Sequence, residues 1–344
     1  TDAIRKRCEN EVLGYTGKPD SYYNAIINWV KQRYDLVVAK EMINFVPGIV
    51  PGIGMAMNCF TQKGDKVMIQ PPVYHPFAWV TTRNERTLVT NPLKWENGMY
   101  RMDLDTFREQ IKGCKLFILC NPHNPGGVVW TEAELRAIAD ICYDEKVLVF
   151  SDEIHADLTL PPHTHRPFAT VSEKARMNSV TFMSPSKAFN MPGLSASHAL
   201  IFNEDLRKRF RIYMDAGELD MGHVFAFLSV EAAYSHGTEW LDQCLAYIQG
   251  NIDFVDDFLK NHAPKIKAIR PGASYLVWLD CRELKLSQKD LNEFFVDKAH
   301  LALNDGEMFG KEGIGFMRLN VASPRCIIEK AMKQLADAYQ LYIK

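Results

Sequence analysis

Three short segments carry residue types that could do chemistry together. Ser184-Pro185-Ser186-Lys187-Ala188-Phe189-Asn190 follows the apolar stretch 180–183, which reads as a buried strand. A lysine delivered from such a strand end is costly to bury unless its ammonium is paired or chemically changed. Condensation with the carbonyl of a cofactor is one such change, because the amine becomes a covalent tether. Ser184 and Ser186 could then offer hydroxyls to a phosphate on that cofactor. A solvated lysine in a turn is the alternative reading of this stretch taken alone.

The second segment, Cys120-Asn121-Pro122-His123-Asn124-Pro125-Gly126-Gly127, follows the apolar run 115–119. Two Asn-Pro steps and a Gly-Gly make a stiff, sharply turned loop at a strand's carboxyl end. In an open α/β sheet that end is where ligands sit. The third, Ser151-Asp152-Glu153-Ile154-His155, follows the apolar run 147–150 and presents an acid that can face a ligand cation. The Asp-Glu-x-His grouping lacks the further ligands a metal would need, and no metal is expected.

The elements that must position these segments alternate along the chain. Strands are expected at 66–70, 115–120, 146–150 and 179–183, and helices at 3–13, 20–34, 102–111 and 131–143, with Asp20 capping the second helix. That rhythm predicts an α/β fold, a largely parallel sheet covered by helices on both faces. Beyond about residue 225 the pattern changes to helices at 225–234 and 240–260, a strand at 274–279, a helix at 288–299, a segment at 315–321 and a last helix at 327–342. This part reads as a smaller α+β lobe, with the 240–260 helix bridging the two. A chain of 344 residues exceeds what one core usually supports, so two lobes are natural.

A net charge of −2 gives no reason to expect nucleic acid or an anionic membrane as partner. The eight cysteines show no Cys-x-x-Cys spacing, which argues against zinc and suits a reducing cytoplasm. No apolar stretch is long enough to span a membrane, and no signal peptide is visible.

Strand–Asn-Pro, strand–Asp-x-x-His and strand–Ser-x-Ser-Lys, in that order, resemble the fold-type I pyridoxal-phosphate enzymes of the aminotransferase class I/II superfamily. Ser-Asp-Glu-Ile-His with Ser-x-Ser-Lys-x-Phe-Asn is similar to the cystathionine β-lyase and C–S lyase branch. The resemblance spans about residues 14–325. It implies an aspartate-aminotransferase-like fold, with a large, mainly parallel seven-stranded α/β/α domain at 17–243. An N-terminal arm at 1–16 and a small domain at 244–344 complete it. It also implies some tens of residues ahead of Thr1.

The same resemblance implies roles. Lys187 would tether pyridoxal 5′-phosphate and move protons at the substrate Cα. Asp152 would hold the pyridine nitrogen, Asn124 and His155 the phenolic oxygen, and Tyr74 the ring face. Ser184, Ser186 and the backbone N–H groups of Ile49 and Val50 would bind the phosphate. Arg318 would grip the substrate carboxylate, with Asn124 nearby, and Asn124-Pro125 is a candidate cis bond. Tyr15 would reach the phosphate or substrate of a neighbouring subunit, which implies a homodimer with a shared site. Many aminotransferases have an arginine where this chain has Ser195, and a threonine where it has Gly126; the latter is expected to matter little.

The implied function is C–S β-lysis of cystathionine or cysteine-type substrates to thiol, pyruvate and ammonia. The alternatives are an aminotransferase using the same lysine and a regulatory protein on this scaffold.

Overall fold

The computed structural model describes residues 1–342. Nine strands precede residue 201: β1 (Ile43–Val46), β2 (Lys66–Ile69), β3 (Thr87–Thr90), β4 (Lys94–Glu96), β5 (Met99–Arg101), β6 (Cys114–Cys120), β7 (Leu148–Asp152), β8 (Ser179–Met183) and β9 (Ser197–Leu200). Seven form the large sheet in the order β1-β9-β8-β7-β6-β2-β3, while β4 and β5 pair as a separate hairpin. The pairs β3·β2, β2·β6, β6·β7 and β7·β8 are parallel; β9 runs antiparallel to both of its neighbours.

The central strands are buried on both faces, as their unbroken apolar runs require. Leu116 and Ile118 pack into one core with Phe150, Val180 and Phe182, whereas Phe117 and Leu119 pack into the other with Val149 and Leu135. This two-residue alternation places the polar carboxyl ends of β6, β7 and β8 side by side. Cys120 is in register with Asp152, and Asp152 with Phe182.

The small lobe is a four-stranded antiparallel sheet, β10-β11-β13-β12, from β10 (Lys267–Ile269), β11 (Leu276–Asp280), β12 (Asn304–Asp305) and β13 (Phe316–Asn320). The helix Thr238–His262 joins the lobes: Leu241 packs in the large-lobe core, and Ile248, Ile252, Val255 and Leu259 in the small-lobe core.

Backbone hydrogen bonds help to hold the small lobe over the strand ends. Ser274 N–H donates to Leu158 O at 2.9 Å, Gly272 N–H to Gly127 O at 2.8 Å, and Val73 N–H to Phe309 O at 2.9 Å. Gly127 sits at φ +66°, and a Cβ there would lie 2.3 Å from Pro271, so both conformation and space demand glycine.

Several expectations need correction. Asp20 does not cap its helix: Pro19 is the cap residue, and Asp20 lies in the first turn, paired with Lys40 at 2.5 Å. The first helix stops at Cys8, and the helix from Gln288 passes after Glu293 into a π-helical turn, Phe294–Lys298. The strands β1, β3 and β9 and the helices Pro76–Arg83 and Glu204–Ala216 had no expected counterpart.

Candidate active site

The lysine-bearing turn is fixed from both sides. Phe189 N–H donates to Pro185 O and Met191 N–H to Ser186 O, each at 2.9 Å. Ala188 is buried, and the Phe189 ring packs against Trp29 and Trp240. Lys187, between these anchors, is left facing a cavity of about 470 Å³. No ion pair among the described residues involves its amine.

The same cavity is lined by Ile49, Val50, Tyr74, Asn124, Asp152, His155, Ser186 and Arg318. Two of the named residues lie elsewhere. Ser184 was expected to donate to a phosphate, but its hydroxyl donates to Ala196 O at 2.7 Å and accepts from Ser186 N–H at 3.1 Å. It is a buried brace for the turn and not a cavity residue. Tyr15 is 97% exposed and outside the cavity of its own subunit.

Asp152 is the last residue of β7 and is buried. One carboxylate oxygen accepts from Ile154 N–H at 3.0 Å. Burial, the dominant cause, pushes its pKa up to about 7, opposed first by the Ile154 N–H bond and more weakly by the charge of Lys187. Among the described residues no cation contacts the carboxylate, so the site holds a carboxyl poised to receive one. The neighbouring Glu153 turns the other way. It accepts from Ser151 Oγ, Phe168 N–H and His165 Nε2 at 2.9, 2.8 and 2.7 Å.

His155 is also buried, and its Nδ1 has no partner. Burial first, then the charges of Lys187 and Arg318, bring its pKa down to about 3, so a neutral imidazole faces the cavity. In the Asn-Pro loop both Asn121-Pro122 and Asn124-Pro125 are cis. The loop is held by His123 Nε2, 2.8 Å from Pro72 O, and by Asn124 N–H on Cys120 Sγ at 3.3 Å. Gly126 has a packing reason after all: a Cβ there would meet Tyr100 at 2.8 Å, so the buried tyrosine occupies the space a larger side chain would need.

Arg318 comes from β13, in register with Trp278 and Asn304. Its guanidinium donates to Asn124 Oδ1 at 2.8 Å and Asn304 Oδ1 at 2.7 Å, and lies 4.6 Å from the Phe309 ring centre. Its buried Nε has no partner. Both partners are neutral amides; no carboxylate pairs with it among the described residues. Burial lowers its pKa to about 10, so it stays charged and undercompensated. Such a fork suits a carboxylate ligand.

At the opposite end, Gly48, Ile49 and Val50 open the helix Ile49–Phe60, whose free N–H groups favour an anion. Gly52 lets this helix approach closely, because a Cβ there would lie 2.9 Å from Val46. Ser186, Ser195 and Ser197 add hydroxyls on this cavity wall. Arg318 and Lys187 are the only Arg or Lys among the lining residues, so Ser195 is not replaced by another cation there.

Cavity residues that sequence reasoning missed include His75, Cys120, Ser197, Tyr275 and Asn320. Tyr275 sits just before the small-lobe strand β11, and its ring centre is 6.3 Å from that of His155. Ser197 begins β9, which carried no sequence signal. The cavity therefore has a lysine amine, a buried acid without a cation, a free imidazole nitrogen and an anion-binding helix end. This donor set fits pyridoxal phosphate.

Residues 5–335 match the model of the family "Aminotransferase class I and II". The chain belongs to that family. It is 37% identical over 340 residues to cystathionine beta-lyase PatB of Bacillus subtilis strain 168, covering 98% of this chain and 88% of that protein. Cystathionine beta-lyase of Corynebacterium glutamicum is 30% identical over 342 residues, with the same coverage of both chains. Among solved structures, cystalysin of Treponema denticola, which contains pyridoxal 5′-phosphate, superposes with TM-score 0.94 at 34% identity, over 98% of this chain and 86% of that one. The PLP-bound C-S lyase of Staphylococcus hominis superposes with TM-score 0.92 at 33% identity, over 100% and 90%.

Proposed function

We propose that this chain is a pyridoxal-phosphate-dependent carbon–sulfur β-lyase. The observation that carries this reading is the juxtaposition, in one cavity, of the Lys187 amine, the cation-free Asp152 and an Arg318 fork held only by neutral amides. Likeness to C–S lyases over nearly the whole chain supports it.

When bound, the cofactor supplies a carbonyl for an amine and an electron sink for charge developing at the substrate Cα. Asp152 would keep the ring nitrogen protonated, the neighbour that would restore its carboxylate to the ionised form. Because Asn124 Oδ1 accepts from Arg318, the Asn124 amide NH₂ is free to donate to the cofactor's phenolic oxygen. His155 lies beside it, and Tyr74 would cover the ring. The phosphate would take the Ile49 and Val50 N–H groups and the Ser186 hydroxyl.

Arg318 binds the substrate α-carboxylate and fixes the Cα–H bond relative to Lys187. The Lys187 Nζ takes the Cα proton. The Cβ–S bond breaks, its electron pair leaves on sulfur as thiolate, and the remaining three-carbon fragment takes up water to give pyruvate and ammonia. Substrates are cystathionine or other S-substituted cysteines. Tyr15, exposed here, would complete the site of a second copy in a homodimer. All eight cysteines are free, which suits a reducing compartment such as the cytoplasm.

The test is product analysis with L-cystathionine and no added 2-oxo acid. Release of equal amounts of pyruvate and thiol supports the lyase. Amino transfer only on addition of 2-oxoglutarate would make the protein an aminotransferase instead.

A further inference from the structure

A second cavity of about 410 Å³ adjoins the first, and His75 lines both. The His75 ring centre lies 4.4 Å from that of Trp79 and 5.8 Å from that of Phe309, and its buried Nδ1 has no partner. Phe309 is the ring under the Arg318 guanidinium, so His75 and Phe309 form a common wall between the carboxylate-binding cavity and the second one. Beyond this wall the lining is mixed. Trp79 and Met308 supply apolar surface, and Glu307, Lys311 and Glu312 bring charges of both signs. Among the described residues none of these three charges takes part in an ion pair, although nineteen pairs occur elsewhere.

Resting on the lyase reading, we propose that this second cavity is the subsite for the far end of the leaving group, and that it takes a zwitterionic amino-acid head. A thioether whose leaving half carries its own ammonium and carboxylate, as cystathionine does, would place the ammonium by Glu307 and Glu312 and the carboxylate by Lys311. The apolar linker would run along His75, which lines both cavities, with its Nδ1 available to a polar atom of the linker or head. The volume holds an amino-acid-sized group, and one acceptor pair plus one donor matches an ammonium–carboxylate head in sign. A substrate with a small, uncharged leaving group, such as S-methyl-L-cysteine, would leave this subsite unused.

The experiment compares kcat/KM for L-cystathionine with that for S-methyl-L-cysteine in wild-type holoenzyme, in the Glu307→Gln/Glu312→Gln double variant and in Lys311→Met. Loss of a charge-assisted contact to one end of the head predicts about a tenfold fall in the cystathionine-to-methylcysteine ratio in each variant. Ratios within about twofold of wild type in both variants, or equal losses on the two substrates, would overturn the subsite while leaving the lyase reading intact. Wild-type holoenzyme that releases pyruvate from neither substrate would overturn the lyase reading and the subsite with it.

Discussion

The Arg318 guanidinium donates to Asn124 Oδ1 at 2.8 Å, across the boundary between the two lobes. Arginine only donates, so this bond fixes which way the Asn124 amide points and turns its NH₂ toward the cavity. One contact thus orients both the residue we propose to grip the substrate carboxylate and the one we propose to hold the cofactor oxygen.

Asn124→Asp keeps the shape and reverses the logic. The new carboxylate would pair with Arg318 and satisfy the fork before substrate arrives. We expect kcat/KM to fall by about 100-fold or more, with a large rise in KM. Arg318→Lys should lose a similar factor, since one ammonium cannot serve two amides and a carboxylate in that geometry. Steady-state kinetics on both variants checks this; KM within twofold of wild type would contradict it.

Asp152 should set stability against function in the cofactor-free protein. Its folded pKa of about 7 lies above the unfolded value, so its favourable contribution is complete below the ordinary aspartate value of 3.8 and is lost as pH rises through 7. Asp152→Asn should therefore stabilise the apo protein, by up to about 4 kcal/mol at pH 8, with the gain growing from pH 4 and levelling above 7. The same change should cut activity with cofactor by about 100-fold or more. Urea unfolding of the apo forms at several pH values, beside activity assays, tests both halves.

His198 makes a prediction away from the chemistry. It is fully buried on β9, neither ring nitrogen has a partner, and burial brings its pKa down to about 3. A base with a depressed folded pKa adds stability above its unfolded pKa and loses it as pH falls toward the folded one. His198→Met should abolish about 2 kcal/mol of the stability that the wild type loses between pH 8 and pH 5. Identical pH slopes in urea unfolding of the two proteins would contradict this.

A shared site has a distinctive signature. If Tyr15 serves the neighbouring subunit, mixing inactive Lys187→Ala with a defective Tyr15→Ala variant should restore activity, because the mixed dimer has one intact site. No recovery after subunit exchange would place Tyr15 outside the machinery.

Much of the site was legible because three apolar runs of four or five residues end in polar residues that no core would choose. Lys187, Asp152 and Asn124 each stand just beyond or at the end of such a run, and parallel pairing puts those ends together. The strands β1 and β9 were illegible for the opposite reason. They are four residues long and carry Asn44 and His198 inside, so neither periodicity nor propensity marks them. Ser184 misled because a hydroxyl beside a lysine looks the same in sequence whether it faces a ligand or braces a turn; only the Ala196 carbonyl, eleven residues beyond Pro185, decides. His75 and Tyr275 were hidden because their roles depend on how the lobes meet, which no local pattern records.

The amine of Lys187 is the proposed anchor of the cofactor. Holoenzyme treated with borohydride, digested and sequenced by mass spectrometry should carry the reduced cofactor on the peptide containing Lys187 and on no other lysine. Cofactor attached elsewhere, or protein that takes up none at all, would contradict it.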